Sequence, residues 1–61
     1  MSNLLESWEE FKVLVNSLDL EVHKNSGGNK SAGVRARKGL RQVKKQASDL
    51  VKESLSLDKS E

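Results

Sequence analysis

Asn25-Ser26-Gly27-Gly28-Asn29 divides the chain into two halves of similar character. Two glycines among small polar residues mark a loop, and a proline-free segment lies on each side of them. Before the break, Leu4, Trp8, Phe11, Val15, Leu18 and Val22 recur at alternating intervals of four and three. This is a helical stripe of heptad period, and Leu5 and Leu14 widen it on its flank. Asn3 and Glu6 have the spacing of a capping box. Glu6, Glu9 and Glu10 suit the positive end of a helix, and Lys24 suits the negative end. After the break, Ala36, Leu40, Val43, Ala47, Leu50, Ser54 and Leu57 repeat the pattern, with Ala32 and Val51 on the same face. Asn29 stands where an N-cap is needed. The pattern predicts an all-α fold, a single hairpin of two amphipathic helices. The expected bounds are a helix over about 3–24, a loop at 25–28, a helix over about 29–57 and a fraying tail at 58–61.

Size adds a constraint. A chain of 61 residues and 6.8 kDa buries only about 60% of its unfolded surface on folding. Scaffolds this small ordinarily need a disulfide, a metal or a partner chain. There is no Cys, and a single His makes no ordinary zinc site, so self-association is the remaining route. The expectation is a homodimer, most simply a four-helix bundle. Its core and dimer contacts would come from Leu4, Trp8, Phe11, Val15, Leu18, Leu40, Val43 and Leu50. No run of 18 apolar residues and no secretory signal is visible, which predicts a cytoplasmic protein that does not enter membranes.

Charge is unevenly distributed. Residues 30–52 carry eight basic side chains and one acid, Asp49, whereas residues 1–29 carry five acids and two lysines. At about 100° per residue, Lys30, Arg37, Lys38, Arg41, Lys44, Lys45 and Lys52 form one continuous stripe beside the apolar one. Arg35 lies apart from it, able to reach a phosphate or to pair with a glutamate of the first helix. Such a helix can pack one face into a bundle and offer the next to an anionic partner. Gly33 and Gly39 fall near the edges of the apolar stripe, where they admit close approach of another helix or of a nucleic-acid backbone.

Catalytic chemistry is missing from the pattern. His23 is the only imidazole and no nucleophile motif surrounds it. Glu9 and Glu10 are adjacent, so they point about 100° apart and form no carboxylate pair. Gly27-Gly28-Asn29-Lys30-Ser31 lacks the first glycine of a phosphate loop and any preceding strand. The residues predict no enzyme activity, no metal, no cofactor and no small-molecule substrate. An anion site at the start of the second helix survives, where free N–H groups and Lys30 could hold a phosphate.

The stretch Gly28-Asn29-Lys30-Ser31-Ala32-Gly33-Val34-Arg35-Ala36-Arg37-Lys38 resembles the bacterial linker-histone-like proteins, the family typified by the chlamydial histone-like protein. Leu40, Val43, Lys44, Lys45, Val51, Lys52, Glu53 and Ser54 look like that family's continuation. The resemblance implies a DNA-binding nucleoid protein, with Lys30, Arg35, Arg37 and Lys38 among its DNA contacts. Chlamydial members extend into a Lys/Ala-rich tail associated with condensation, where this sequence reads Asp58-Lys59-Ser60-Glu61.

Together, the stripe and the resemblance predict a nucleoid-associated protein that binds double-stranded DNA through its phosphates, with little sequence preference. The expected contacts are Lys30, Arg35, Arg37, Lys38, Arg41, Lys44 and Lys45. The alternative is a helix-bundle protein–protein interaction module with no nucleic-acid role, in which the heptads recruit a partner and the charges serve solubility. A basic helix lying on an anionic membrane fits less well, because the second segment has no Trp or Phe on its apolar face.

Overall fold

The computed structural model describes residues 4–59, which form three helices and no strand. Helix α1 spans Leu4–Ser17, α2 spans Asp19–Ser26 and α3 spans Lys30–Lys59. Helices α1 and α2 make one bent arm of an antiparallel hairpin, and α3 is the other. The predicted all-α hairpin is thus the fold.

The bend at Leu18 has a local cause. Ser17 Oγ donates to the Leu14 carbonyl at 2.6 Å, the acceptor that the Leu18 N–H would otherwise use. That N–H turns instead to Val15 O at 3.1 Å. A hydroxyl bonded back to the preceding turn bends a helix in this way, so the expected single first helix is two.

The loop is shorter than its composition suggests. Asn25 and Ser26, expected in the loop, are helical. Gly28 adopts φ 102°, a conformation that glycine enters without steric cost. It lets Asn29 N–H reach Lys24 O and Gly28 N–H reach Asn25 O, each at 3.0 Å, which is the Schellman ending of a helix. Asn29 then caps the next helix: its Oδ1 accepts from Ala32 N–H at 2.9 Å. Helix α3 continues through Lys59, past the expected end at 57. The expected capping box lies partly outside the described residues, at Asn3, as do Ser60 and Glu61 of the tail.

The seam between the arms is narrow. On α3 it consists of Ala32, Gly33, Ala36 and Gly39, all buried, then half-buried Val43, Ala47 and Leu50. On the other arm it consists of Leu4, Ser7, Phe11, Leu14, Leu18, Glu21 and Asn25, all half-buried. A Cβ added to Gly39 would overlap Leu18 Cδ2 and lie 3.1 Å from its Cγ, and one on Gly33 would lie 2.9 Å from Asn25 Cγ. Both glycines therefore serve close approach of the hairpin's own first arm.

This seam takes up part of the expected core and dimer set. Leu4, Phe11, Leu18, Val43 and Leu50 take part in it, but Trp8, Val15 and Leu40 remain 44%, 43% and 50% exposed. Relative to the heptad stripe, the first arm is turned about 50° toward Ser7 and Leu14. Leu18 against Gly39 and Glu21 against Arg35 set that rotation. The rod measures 49 × 15 × 12 Å, with a radius of gyration of 14.6 Å; a compact chain of this length would have about 10.5 Å.

Candidate nucleic-acid interface

The seam fixes where each other side of the hairpin points. At about 100° per residue, the direction opposite the buried side of α3 falls in an arc roughly 120° wide. Lys30, Arg37, Lys38, Arg41, Lys44 and Lys45 occupy it, with Lys52 further along, and all seven are exposed. No acidic residue of α3 falls within that arc. Among the described residues, no ion pair engages any of these cations; the three pairs present are Lys12–Glu9, His23–Asp19 and Arg35–Glu21. From Lys30 to Lys52 the face runs about 33 Å at 1.5 Å per residue, close to one turn of duplex DNA.

Arg35 stands elsewhere. It lies about 120° around α3 from the middle of the basic arc, on a polar edge shared with Gln46, Asp49, Glu53 and Glu10. Its Nε donates to Glu21 Oε2 at 2.7 Å and its Nη2 to Glu21 Oε1 at 3.2 Å, a forked pair of charge-assisted bonds. The hydrogen bond from Arg35 holds the Glu21 carboxyl below the ordinary glutamate range, aided by the charges of Arg35 and Lys24. The same bond raises the already high pKa of Arg35. Of the two roles open to Arg35 in the sequence, the structure gives it the pairing with the first arm. Glu21 was not distinguishable among the glutamates by composition. The signal that finds it is position, because Glu21 and Arg35 lie equally far from Gly28 and an antiparallel hairpin sets such residues level.

Glu6 and Glu9 turn away from the seam on α1 while Glu10 borders its polar edge, all three exposed. The two outer sides of the hairpin thus carry opposite charge, with the acidic side facing away from α3's basic face. Gln46, the polar side chain nearest a base-reading type on α3 together with Gln42, is half-buried toward the seam. Stacking on bases needs exposed aromatic faces. Here Trp8 stacks on Phe11 with centroids 5.8 Å apart, and Lys12 Nζ lies 5.7 Å from the Trp8 ring centroid, all on the other arm. No group of three or more potential metal ligands occurs among the described residues. His23, 3.4 Å from Asp19 through Nε2, is exposed and distant from the basic face. Among the described residues, no helix is long and apolar enough to cross a membrane.

A third side is apolar. Trp8, Val15 and Val22 from the first arm and Leu40, Val51 and Leu55 from α3 line the same long edge of the rod. At its open end, Leu4, Leu5, Trp8, Leu50, Val51, Ser54, Leu55 and Leu57 border a groove.

Comparison with curated proteins and with solved structures finds no match. Comparison with protein families matches the one described as Histone H1-like protein Hc1 over residues 5–60, which takes in the bent first arm, the glycine break and all of the basic face. The chain belongs to the histone H1-like Hc1 family.

Proposed function

We infer that this protein is a small nucleoid-associated protein that binds double-stranded DNA through the outer face of α3 and helps to organise it. The observation that carries this reading is the gathering of Lys30, Arg37, Lys38, Arg41, Lys44 and Lys45 on one unpaired face, with no acid within the arc. Membership of a histone-like family supports it. Lysine and arginine contacts to phosphates fix position and supply affinity without reading sequence. The scarcity of exposed Asn and Gln on that face favours binding of this kind. Acidic Glu6, Glu9 and Glu10 on the other arm favour one-sided engagement, since that side is repelled by phosphates.

The test is a gel shift with duplex DNA, single-stranded DNA and RNA at two salt concentrations. Reversing Arg37, Lys38 and Arg41 together to Glu is expected to abolish the duplex shift with helicity retained, because Lys38 and Arg41 lie off the seam and exposed Arg37 only borders it at Gly33. Reversing Glu9 and Glu10 to Lys is expected to preserve or strengthen binding. An unchanged affinity after the triple reversal would remove the basic face as the DNA site. The exposed apolar edge favours a second reading, a helix-bundle interaction module, which predicts no shift of any nucleic acid at low salt.

A further inference from the structure

We propose that α3 enters the major groove of duplex DNA, with its cations gripping both strands and Val34 facing the base edges. The proposal rests on the DNA reading above and specifies how that same face is engaged. The cations fall into two rows. Lys30, Arg37 and Lys44 recur every seven residues along one, and Lys38, Lys45 and Lys52 along the other. Arg37 and Lys38 are neighbours, as are Lys44 and Lys45, so the rows stand about 100° apart around the helix. Between them runs a third row of the same period, Val34, Arg41 and Ser48. Val34 is 60% exposed and points about 170° from the middle of the seam. A short apolar side chain thus stands at the centre of a cationic face.

One strand does not match this layout. Arg37, Lys38, Arg41, Lys44 and Lys45 lie within about 12 Å along α3. Over that length one strand presents about four phosphates and two strands about seven, so rows splayed to both sides are matched by both strands. A helix with its side chains is about 10–12 Å across. The major groove, about 12 Å wide, admits it, and the minor groove, about 6 Å wide, does not. In the major groove the two rows reach the phosphate walls on either side, while the midline faces the floor. Arg41 is long enough to reach a wall from there. Val34 is not, and its methyl groups meet base edges, where the thymine C5-methyl is the apolar partner. The seam lies on the opposite side of α3, so the first arm stays outside the groove with Glu6 and Glu9. A helix resting astride the minor groove would leave Val34 in water. One methyl contact among several phosphate contacts keeps sequence preference small, as expected of binding that is mainly electrostatic.

Fluorescence anisotropy of the full chain with two pairs of labelled duplexes tests this. The first pair is a duplex of A·T pairs and the same duplex with deoxyuridine replacing thymidine, which removes only the major-groove methyl. The native chain is expected to bind the thymidine form about fourfold tighter, the worth of one methyl group withdrawn from water. Val34→Ala, checked for helicity by circular dichroism, is expected to lose that preference while still binding both. The second pair contains hydroxymethylcytosine, plain or glucosylated; the glucose fills the major groove and leaves the phosphates untouched. Glucosylation is expected to weaken binding by roughly tenfold or more, because the helix is shut out of the groove and only outer phosphate contacts remain. Equal affinity within either pair, or a thymidine preference that survives in Val34→Ala, overturns groove insertion and leaves phosphate binding standing. Failure to bind any of the four duplexes at low salt overturns both the insertion and the DNA reading on which it rests.

Discussion

Arg35 and Arg41 are both arginines of α3, six residues apart, yet the structure separates them, Arg35 paired across the hairpin and Arg41 on the outer basic face, and on the proposed DNA reading the salt dependence of binding measures the separation. Six cations share the outer face: Lys30, Arg37, Lys38, Arg41, Lys44 and Lys45. If each neutralises one phosphate, log affinity against log salt has a slope of about −5.4, at roughly −0.9 per contact. Between 50 and 200 mM salt this is a loss of about 1,800-fold. Replacing Arg41 by Gln removes one contact, so the slope flattens to about −4.5 and the loss over the same interval falls to about 500-fold. Replacing Arg35 by Gln removes the forked bond to Glu21 and no phosphate contact, so the slope stays near −5.4 while resistance to denaturant falls. Fluorescence anisotropy of a labelled duplex across a salt series, with urea denaturation of the same variants, gives both quantities. Equal flattening for Arg35→Gln and Arg41→Gln, or flattening for Arg35→Gln alone, would refute the assignment of Arg35 to the hairpin and of Arg41 to the DNA face.

Gly39→Leu is expected to destabilise the hairpin by about 1 kcal/mol, the overpacking cost against Leu18 (roughly 1–3 kcal/mol) exceeding the gain of about 1 kcal/mol in helix propensity; urea titration followed by circular dichroism checks it. Gly28→Ala, at φ 102°, is expected to cost about 1–2 kcal/mol with DNA affinity at saturating folded protein unchanged, measured by the same titration and a gel shift. The carboxyl of Glu21 is lowered in the folded chain by its bond to Arg35, so its stabilising contribution is complete above the ordinary glutamate range and is lost as pH falls through the lowered folded value. Glu21→Gln should therefore reduce stability at neutral pH and flatten its decline on acidification, as followed by thermal melts across an acid pH series.

Much of the candidate site was legible before any fold was known. Segregation of seven cations from the apolar positions of α3 follows from helical periodicity alone, because side-chain direction in a helix depends only on position along it. The glycine break and the Asn29 cap are local too: a left-handed residue and a side-chain cap are decided within a few positions of chain. What stayed hidden depended on the other arm. The first arm's apolar residues cover an arc wider than one seam can bury, so the heptad stripe was compatible with more than one rotation. Contact with the Ala and Gly side of α3 selected the rotation that half-buries Ser7 and Leu14 and leaves Trp8 and Val15 outside. The partner of Arg35 was hidden for the same reason, since a guanidinium fourteen residues from Glu21 meets it only once the register of two antiparallel helices is set. Ser17's competition for the Leu14 carbonyl shortened α1 where the residue pattern continued unbroken. Periodicity, caps and charge belong to the single helix and were determined by the sequence. Rotation, register and pairing arise between helices, where shape at Gly33 and Gly39 chose among arrangements that one helix alone leaves equal, and these only the tertiary structure decided.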